Sequence, residues 1–155
     1  MIAFTGAGIS TSTGIPDYRS GFNTKLPTGP GCWEKRALRE KWKNDKTKAG
    51  LPLPSAMRLP FNMTIQQARP SVTHMALYEL VRQDKLKYII SQNIDGLHRK
   101  SGIHGKSLGE LHGNTNLEIC TKCGREHMRD FGVRTAKKVH DHITGRTCDT
   151  PGCNG

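Results

Sequence analysis

Four of the five cysteines fall in two close pairs, and this spacing restricts the chain more than any other feature. Cys120-Thr121-Lys122-Cys123 is a C-x2-C knuckle, and Cys148-Asp149-Thr150-Pro151-Gly152-Cys153 is a C-x4-C knuckle; 24 residues, 124–147, lie between them. Paired knuckles on a basic, loop-rich segment have the spacing of a structural zinc site with four cysteine ligands, closed to substrate and without catalytic work. Two disulfides are the rival reading, disfavoured because no secretory leader opens the chain. His127, His140 and His142 are candidates to replace one cysteine, and Cys32 reads as a buried or free thiol.

The other end of the chain sets the fold class. Residues 2–5, Ile-Ala-Phe-Thr, are short and apolar and run directly into Gly6-Ala7-Gly8. A buried strand feeding a glycine turn and then a helix is the opening of a nucleotide-binding α/β fold. Glycines let the main chain turn tightly and approach a phosphate, although Thr11 stands where a third glycine would complete a dinucleotide fingerprint. A purely structural turn explains the glycines equally well at this level. Tyr88-Ile89-Ile90-Ser91 predicts a second strand and Leu117-Glu118-Ile119 a third. Residues 32–48 predict an amphipathic helix burying Trp33, Ala37, Leu38 and Trp42. A further helix beginning near Pro70 would bury Val72, Ala76, Leu77, Leu80 and Val81. The glycine- and proline-rich stretches at 20–31 and 50–60 read as loops.

Net charge sharpens the choice of partners. The 155 residues carry a formal charge of +11, with a sequence pI near 9.7 and a mean hydropathy of −0.60. That balance favours nucleic acid, chromatin or phosphate-bearing ligands, with an ordinary solvated basic surface as the plain alternative. No apolar run has membrane length. Both termini fall inside expected elements, so the chain reads as an incomplete piece.

Three further blocks carry chemistry. In Gly14-Ile15-Pro16-Asp17-Tyr18-Arg19, an acid, an aromatic and an arginine stand close to the glycine turn, where they suit a loop over a phosphate-bearing ligand. The competing explanation is an Asp17–Arg19 ion pair. Gln92-Asn93-Ile94-Asp95 follows the second strand, at the carboxyl edge where parallel sheets bind ligands. Glu110-Leu111-His112-Gly113-Asn114 offers His112 as a general base, but six other histidines prevent a choice on chemistry alone.

Taken together, these blocks resemble the sirtuin family. Gly6-Ala7-Gly8-Ile9-Ser10 with Gly14-Ile15-Pro16-Asp17-Tyr18-Arg19 is similar to its first signature. Ser91-Gln92-Asn93-Ile94-Asp95-Gly96-Leu97-His98 is similar to the second, and His112-Gly113 to the third. The zinc knuckles follow in the family's order. Residues 68–77, 107–114 and 144–148 resemble the class IV branch, which is largely nuclear and chromatin-associated. Tyr18 replaces the commoner Phe, and the loop from Arg19 to Trp33 is longer than the family pattern.

The resemblance implies an α/β, Rossmann-like parallel sheet, incomplete here, with a small inserted zinc-binding module. It implies a partial NAD-binding domain over residues 1–118, carrying a basic insert at about 20–67, and a zinc module over 119–155 that is cut short at its C-terminal end. NAD would be the co-substrate and zinc a structural ion held by Cys120, Cys123, Cys148 and Cys153. Gly6, Ala7, Gly8 and Ser10 would serve the phosphate turn, and Asp17, Tyr18 and Arg19 the cofactor loop. Gln92, Asn93, Ile94 and Asp95 would serve the nicotinamide and its ribose. His112 would be the base, with Asn93 assisting. The implied activity is deacylation of acyl-lysine proteins, histones among them, giving nicotinamide and O-acyl-ADP-ribose in the nucleus. The chain alone is expected to lack competence as a deacylase. Mono-ADP-ribosyl transfer is one alternative. A non-enzymatic zinc module docking on DNA or nucleosomes through the basic residues 33–48 is another.

Overall fold

The computed structural model describes residues 1–48, 51, 65–135 and 141–155. His140 and all of the 50–60 stretch except Leu51 lie outside the described residues. Strand β1 (Ile2–Thr5) pairs in parallel with β2 (Tyr88–Ser91), and β2 pairs in parallel with β3 (Leu108–Glu110). The order β1-β2-β3 is the α/β arrangement expected. The third strand of this sheet is Leu108–Glu110, from the segment read as carrying a base. Leu117–Ile119 is also a strand, but it forms a separate antiparallel hairpin with Glu126–Met128; these are β4 and β5.

Register explains the core. Ala3, Ile89 and Leu108 form one row across the sheet. Ile89, Leu108, Leu86 and Ile103 are buried, with Leu77, Tyr78, Leu80 and Val81 packed on them. Burying each large aliphatic side chain is worth about 1.5–3 kcal/mol. Side chains alternate along a strand, so Ile2 and Phe4 face the opposite way. They are 65% and 63% exposed, and β1 is therefore not the fully buried strand expected. Among the described residues, one sheet face carries the core and the other leaves these two side chains open.

Helix α1 covers Cys32–Asn44, and α2 covers Val72–Arg82. Neither buries its expected stripe in full, although Leu77, Leu80 and Val81 of α2 do pack on the core. In α1, Trp33 is 55% exposed while Lys35 is only 3% exposed. The Lys35 ammonium donates to the Thr28 carbonyl at 3.0 Å, so this cation is taken inside with an acceptor; burial pushes its pKa down. In α2, Val72 is 87% exposed and Ala76 is exposed too, whereas His74 is fully buried. Positions 74, 77, 78 and 81 share one helical face, and 72 and 76 lie opposite it. The helix opens with a capping box in which Ser71 Oγ accepts from His74 N and His74 Nδ1 accepts from Ser71 N.

A short third helix, α3 (Leu97–Lys100), follows β2. Lys100 Nζ donates to the carbonyls of Gln66 and Ala68 at 2.7 and 3.2 Å, which ties residues 65–68 to it. Arg99 bridges two parts of the molecule: its Nε donates to Glu110 at 2.7 Å and its Nη1 to Glu126 at 2.7 Å. The β4–β5 hairpin is thereby fastened to the end of β3. Among the described residues no helix is long and apolar enough to cross a membrane.

Candidate active site and four-cysteine centre

The cleft forms where β1 and β2 end. Residues Ala7–Thr13 make a 3-10 helix directly after Gly6. Neither Gly6 nor Gly8 has a positive φ, and a Cβ built on either meets nothing within 4 Å. No described backbone strain or packing calls for glycine at these two positions, which weakens the structural-turn explanation. What a side chain there would obstruct is the open space beside the turn.

Asp17, Tyr18 and Arg19 come to the same place because the loop is closed at its base. Cys32 N donates to Asp17 O at 2.8 Å, Trp33 N to Tyr18 O at 3.1 Å, and Gly31 N to Ser20 O at 2.7 Å. The first turn of α1 thus finds acceptors for its free N–H groups in the Asp17–Tyr18 main chain. Gly31 permits the approach, since a Cβ there would lie 2.5 Å from Tyr18 C. The Asp17–Arg19 ion pair is absent; Asp17 accepts from the main-chain N and Oγ of Ser20 instead. Arg19 lies over the Trp33 ring at 5.0 Å, and Tyr18 packs near it at 6.1 Å between ring centroids.

Ala7, Asp17, Tyr18, Arg19, Gln92, Asn93 and His112 line one cavity of about 700 Å3 together with Trp33. Trp33 is the lining residue that sequence reasoning missed, because helical spacing assigned it to a buried stripe. His112 Nδ1 is 2.8 Å from the Gln92 carbonyl oxygen. That oxygen can only accept, so Nδ1 carries a proton, and in the neutral ring the lone pair lies on Nε2. Ile94 instead lines a second cavity of about 840 Å3 that runs from His112 to Cys120 and Cys148.

Beneath the cleft lies a buried polar layer. Ser10 Oγ donates to Asp95 Oδ2 at 2.7 Å, and Leu97 N donates to Asp95 Oδ1 at 3.0 Å. Asn93 Nδ2 donates to Gly6 O at 3.0 Å and reaches Ser10 Oγ at 3.3 Å. Ser10, Asn93 and Asp95 therefore brace the glycine turn from below, and none of the three is more than 6% exposed. Deeper still, the His74 and His98 rings meet edge to face at 4.9 Å. His98 Nε2 is 2.9 Å from Thr5 Oγ1. Burial, then the adjacent His74, push His98 down to about 4 against the pull of Asp95. Burial lowers His74 as well.

The four knuckle cysteines converge. Their sulfurs all lie within 4.8 Å of one another, with Cys120–Cys153 at 3.7 Å and Cys123–Cys148 at 3.8 Å. A disulfide needs about 2.05 Å, so the rival reading fails for the described cysteines, which are all free. The edge of a sulfur tetrahedron with bonds of about 2.3 Å to a central zinc is about 3.8 Å. The donor set thus fits a tetrahedral thiophilic cation. Main-chain N–H groups of Cys123 and Arg125 lower the Cys120 and Cys123 thiols, and Thr150 holds Cys148 at about 7. Cys153 rises to about 11: its main-chain bond from Gly155 is outweighed by desolvation and the three neighbouring sulfurs. A cation at the centre would relieve that crowding of negative charge. His127 stands outside the cluster, and His142 is not part of it.

Fold and cleft together define an α/β protein with a nucleotide-type glycine turn and an appended four-cysteine ribbon. The chain belongs to the Sir2 family, whose model matches residues 6–152. The NAD-dependent protein deacetylase SRT1 of Arabidopsis thaliana is 45% identical over 99% of this chain and 27% of its own length. The NAD-dependent protein deacetylase sirtuin-7 of Homo sapiens is 38% identical over 96% of this chain and 31% of its own. A solved Sir2 homologue in complex with ADP-ribose shares the fold, with a TM-score of 0.53 at 24% identity, covering 99% of this chain and 55% of that one. The chain spans about a quarter to a third of the length of these two curated relatives.

Proposed function

We propose that this chain supplies the nicotinamide side of an NAD-dependent protein lysine deacylase. The observation that carries the proposal is the convergence of three separate sequence blocks, Asp17-Tyr18-Arg19, Gln92-Asn93 and His112, on one cavity beside an unobstructed glycine turn. The main chain of Gly6, Ala7 and Gly8 holds the phosphates, with Ser10 bracing that turn from beneath; Asp17, Tyr18 and Arg19 close over the cofactor. Gln92 and Asn93 position the ribose, Ile94 faces the nicotinamide from the adjoining cavity, and the buried Asp95 holds the turn that carries them in place. When bound, NAD supplies an electrophilic ribose carbon for the acyl-lysine carbonyl oxygen. His112 accepts a ribose hydroxyl proton at Nε2, the nitrogen left free by the Gln92 contact. Tyr18 and Trp33 keep water from the reacting carbon. With nicotinamide leaving the ribose carbon and one water consumed after the lysine amine is expelled, the products are free lysine, nicotinamide and O-acyl-ADP-ribose.

Cys120, Cys123, Cys148 and Cys153 bind one structural zinc, a reading supported by their sulfur separations. Chromatin proteins, histones among them, are the proposed substrates and the nucleus the site of action. The net charge of +11 and the exposed Arg36, Lys41 and Lys43 on α1 favour a polyanionic setting.

The test is acetyl-lysine-dependent release of nicotinamide from NAD, with deacetylated peptide measured alongside. It is run on a protein containing this chain together with the segments that its relatives carry beyond the match. Peptide-dependent release supports the reading. NAD binding with no release overturns the enzyme assignment in favour of a binding module, and ADP-ribose transferred to protein without deacetylation favours the transferase.

A further inference from the structure

The zinc reading leaves one imidazole unexplained. His127 lies in the middle of β5, in register with Glu118. It is half-buried, and its Nε2 is 3.3 Å from Cys148 Sγ. It does not belong to the set of ligand atoms that all lie within 4.8 Å of one another. The ring therefore addresses one sulfur rather than the common centre. The Thr150 main-chain N–H also donates to Cys148, at 3.4 Å. Cys123, by contrast, is the one exposed member of the four.

Four thiolates around a divalent cation leave the centre with excess negative charge, and groups outside the ligand set tune such ligands. An N–H pointed at a metal-bound sulfur draws electron density from it, leaving it a poorer nucleophile and a weaker target for oxidants and alkylating agents. The nitrogen donates and the thiolate accepts. On the zinc reading above, we propose that His127 shields Cys148 from thiol-reactive electrophiles, so that the centre opens first at Cys123. With a maleimide, the Cys123 sulfur adds to an alkene carbon as its bond to zinc breaks. The adjacent carbanion takes a proton from water, and nothing is oxidised. His127 is thus a positioning residue of the metal centre that sets the order in which its thiolates react.

The experiment uses zinc-loaded wild-type protein, His127→Phe and His127→Gln, matched for zinc content by elemental analysis. Each is treated with limiting N-ethylmaleimide. Zinc release is followed with a chromogenic chelator, and the adducts are located by peptide mass mapping. In the wild type the first adduct falls on Cys123 and Cys148 reacts late. His127→Phe, lacking a donor, releases zinc about tenfold faster, the scale of one hydrogen bond to a charged group, and Cys148 joins the early adducts. His127→Gln, which keeps an N–H, stays near wild type. Identical rates and order in wild type and His127→Phe overturn the proposal, as does a His127→Gln protein that behaves like His127→Phe. A folded protein that carries no zinc overturns the zinc reading itself and this proposal with it.

Discussion

His112 Nδ1 donates to the main-chain carbonyl of Gln92 across 2.8 Å, joining the segment after β3 to the segment after β2. The contact selects the tautomer and aims the basic nitrogen, Nε2, away from the main chain. In the deacylase assay described above, His112→Ala should keep NAD affinity and lose about 10²–10⁴ in turnover. Titration of NAD by calorimetry beside the steady-state rate makes the comparison. Unchanged turnover removes His112 from the role.

Gly31 tests the closed loop base. Its missing side chain lets it approach Tyr18 C and Arg19 N, which a Cβ would meet at 2.5 and 2.6 Å. Both neighbours are main chain and have little freedom to give way. Gly31→Ala should cost about 1–3 kcal/mol in urea unfolding, and should weaken NAD binding more than His112→Ala does. A variant with wild-type stability and affinity would show that the loop closes some other way.

Acid should loosen the layer under the cleft. His98 is held at about 4 in the fold against an ordinary 6.5. Between these values the unfolded chain binds a proton that the folded one refuses. Stability from this site is therefore intact above pH 6.5, declines as the pH falls toward 4, and levels off below. At about 1.36 kcal/mol per unit, the loss across the window approaches roughly 3 kcal/mol. His98→Gln should flatten the pH dependence of the unfolding midpoint over this range, and an unchanged slope would count against the assignment.

Arg99 holds the ribbon to the sheet. The Glu110 carboxylate beside it is only 8% exposed, and Arg99 itself is 13% exposed. Arg99→Leu strands Glu110 in a dry site, and removing one partner of such a pair typically costs about 3–5 kcal/mol. Adding Glu110→Gln should recover part of the loss. Chemical unfolding of the two variants and the double variant measures the coupling.

Metal removal provides a separate check. One zinc per chain is expected, and chelation should unfold the β4–β5 ribbon, which buries little apolar surface of its own. Proton NMR of residues 117–128 before and after chelation reads this directly. Ribbon signals that persist without metal would show that the hairpin stands unaided.

Much of the element pattern was legible because it is local. Tyr88–Ser91 and Leu117–Ile119 are strands as the apolar runs implied, and the cysteine spacing marked the four-sulfur cluster. Leu77, Leu80 and Val81 of α2 were legible as core-facing, but the start of α2, through Ala76, and the buried face of α1 were not. Helical spacing favoured Trp33, Val72 and Ala76 because they are apolar. The fold leaves all three exposed and takes in Lys35 and His74, since the Thr28 carbonyl receives the Lys35 ammonium and Ser71 engages Nδ1 of His74, though His74 Nε2 has no partner among the described residues. Hydrophobic patterning weighs transfer energies and is blind to a hydrogen-bond partner many residues away.

Residue identity by itself determined the strand-to-glycine turn, the paired knuckles and the signature blocks, because each depends on a few neighbouring side chains or on the absence of one. Only the tertiary structure decided that Leu108–Glu110 completes the parallel sheet, that Trp33 turns into the cleft, and that Arg99 joins Glu110 to Glu126. These depend on contacts between distant segments. Such contacts form only where the surrounding fold has already removed water and fixed both partners, which local sequence cannot specify.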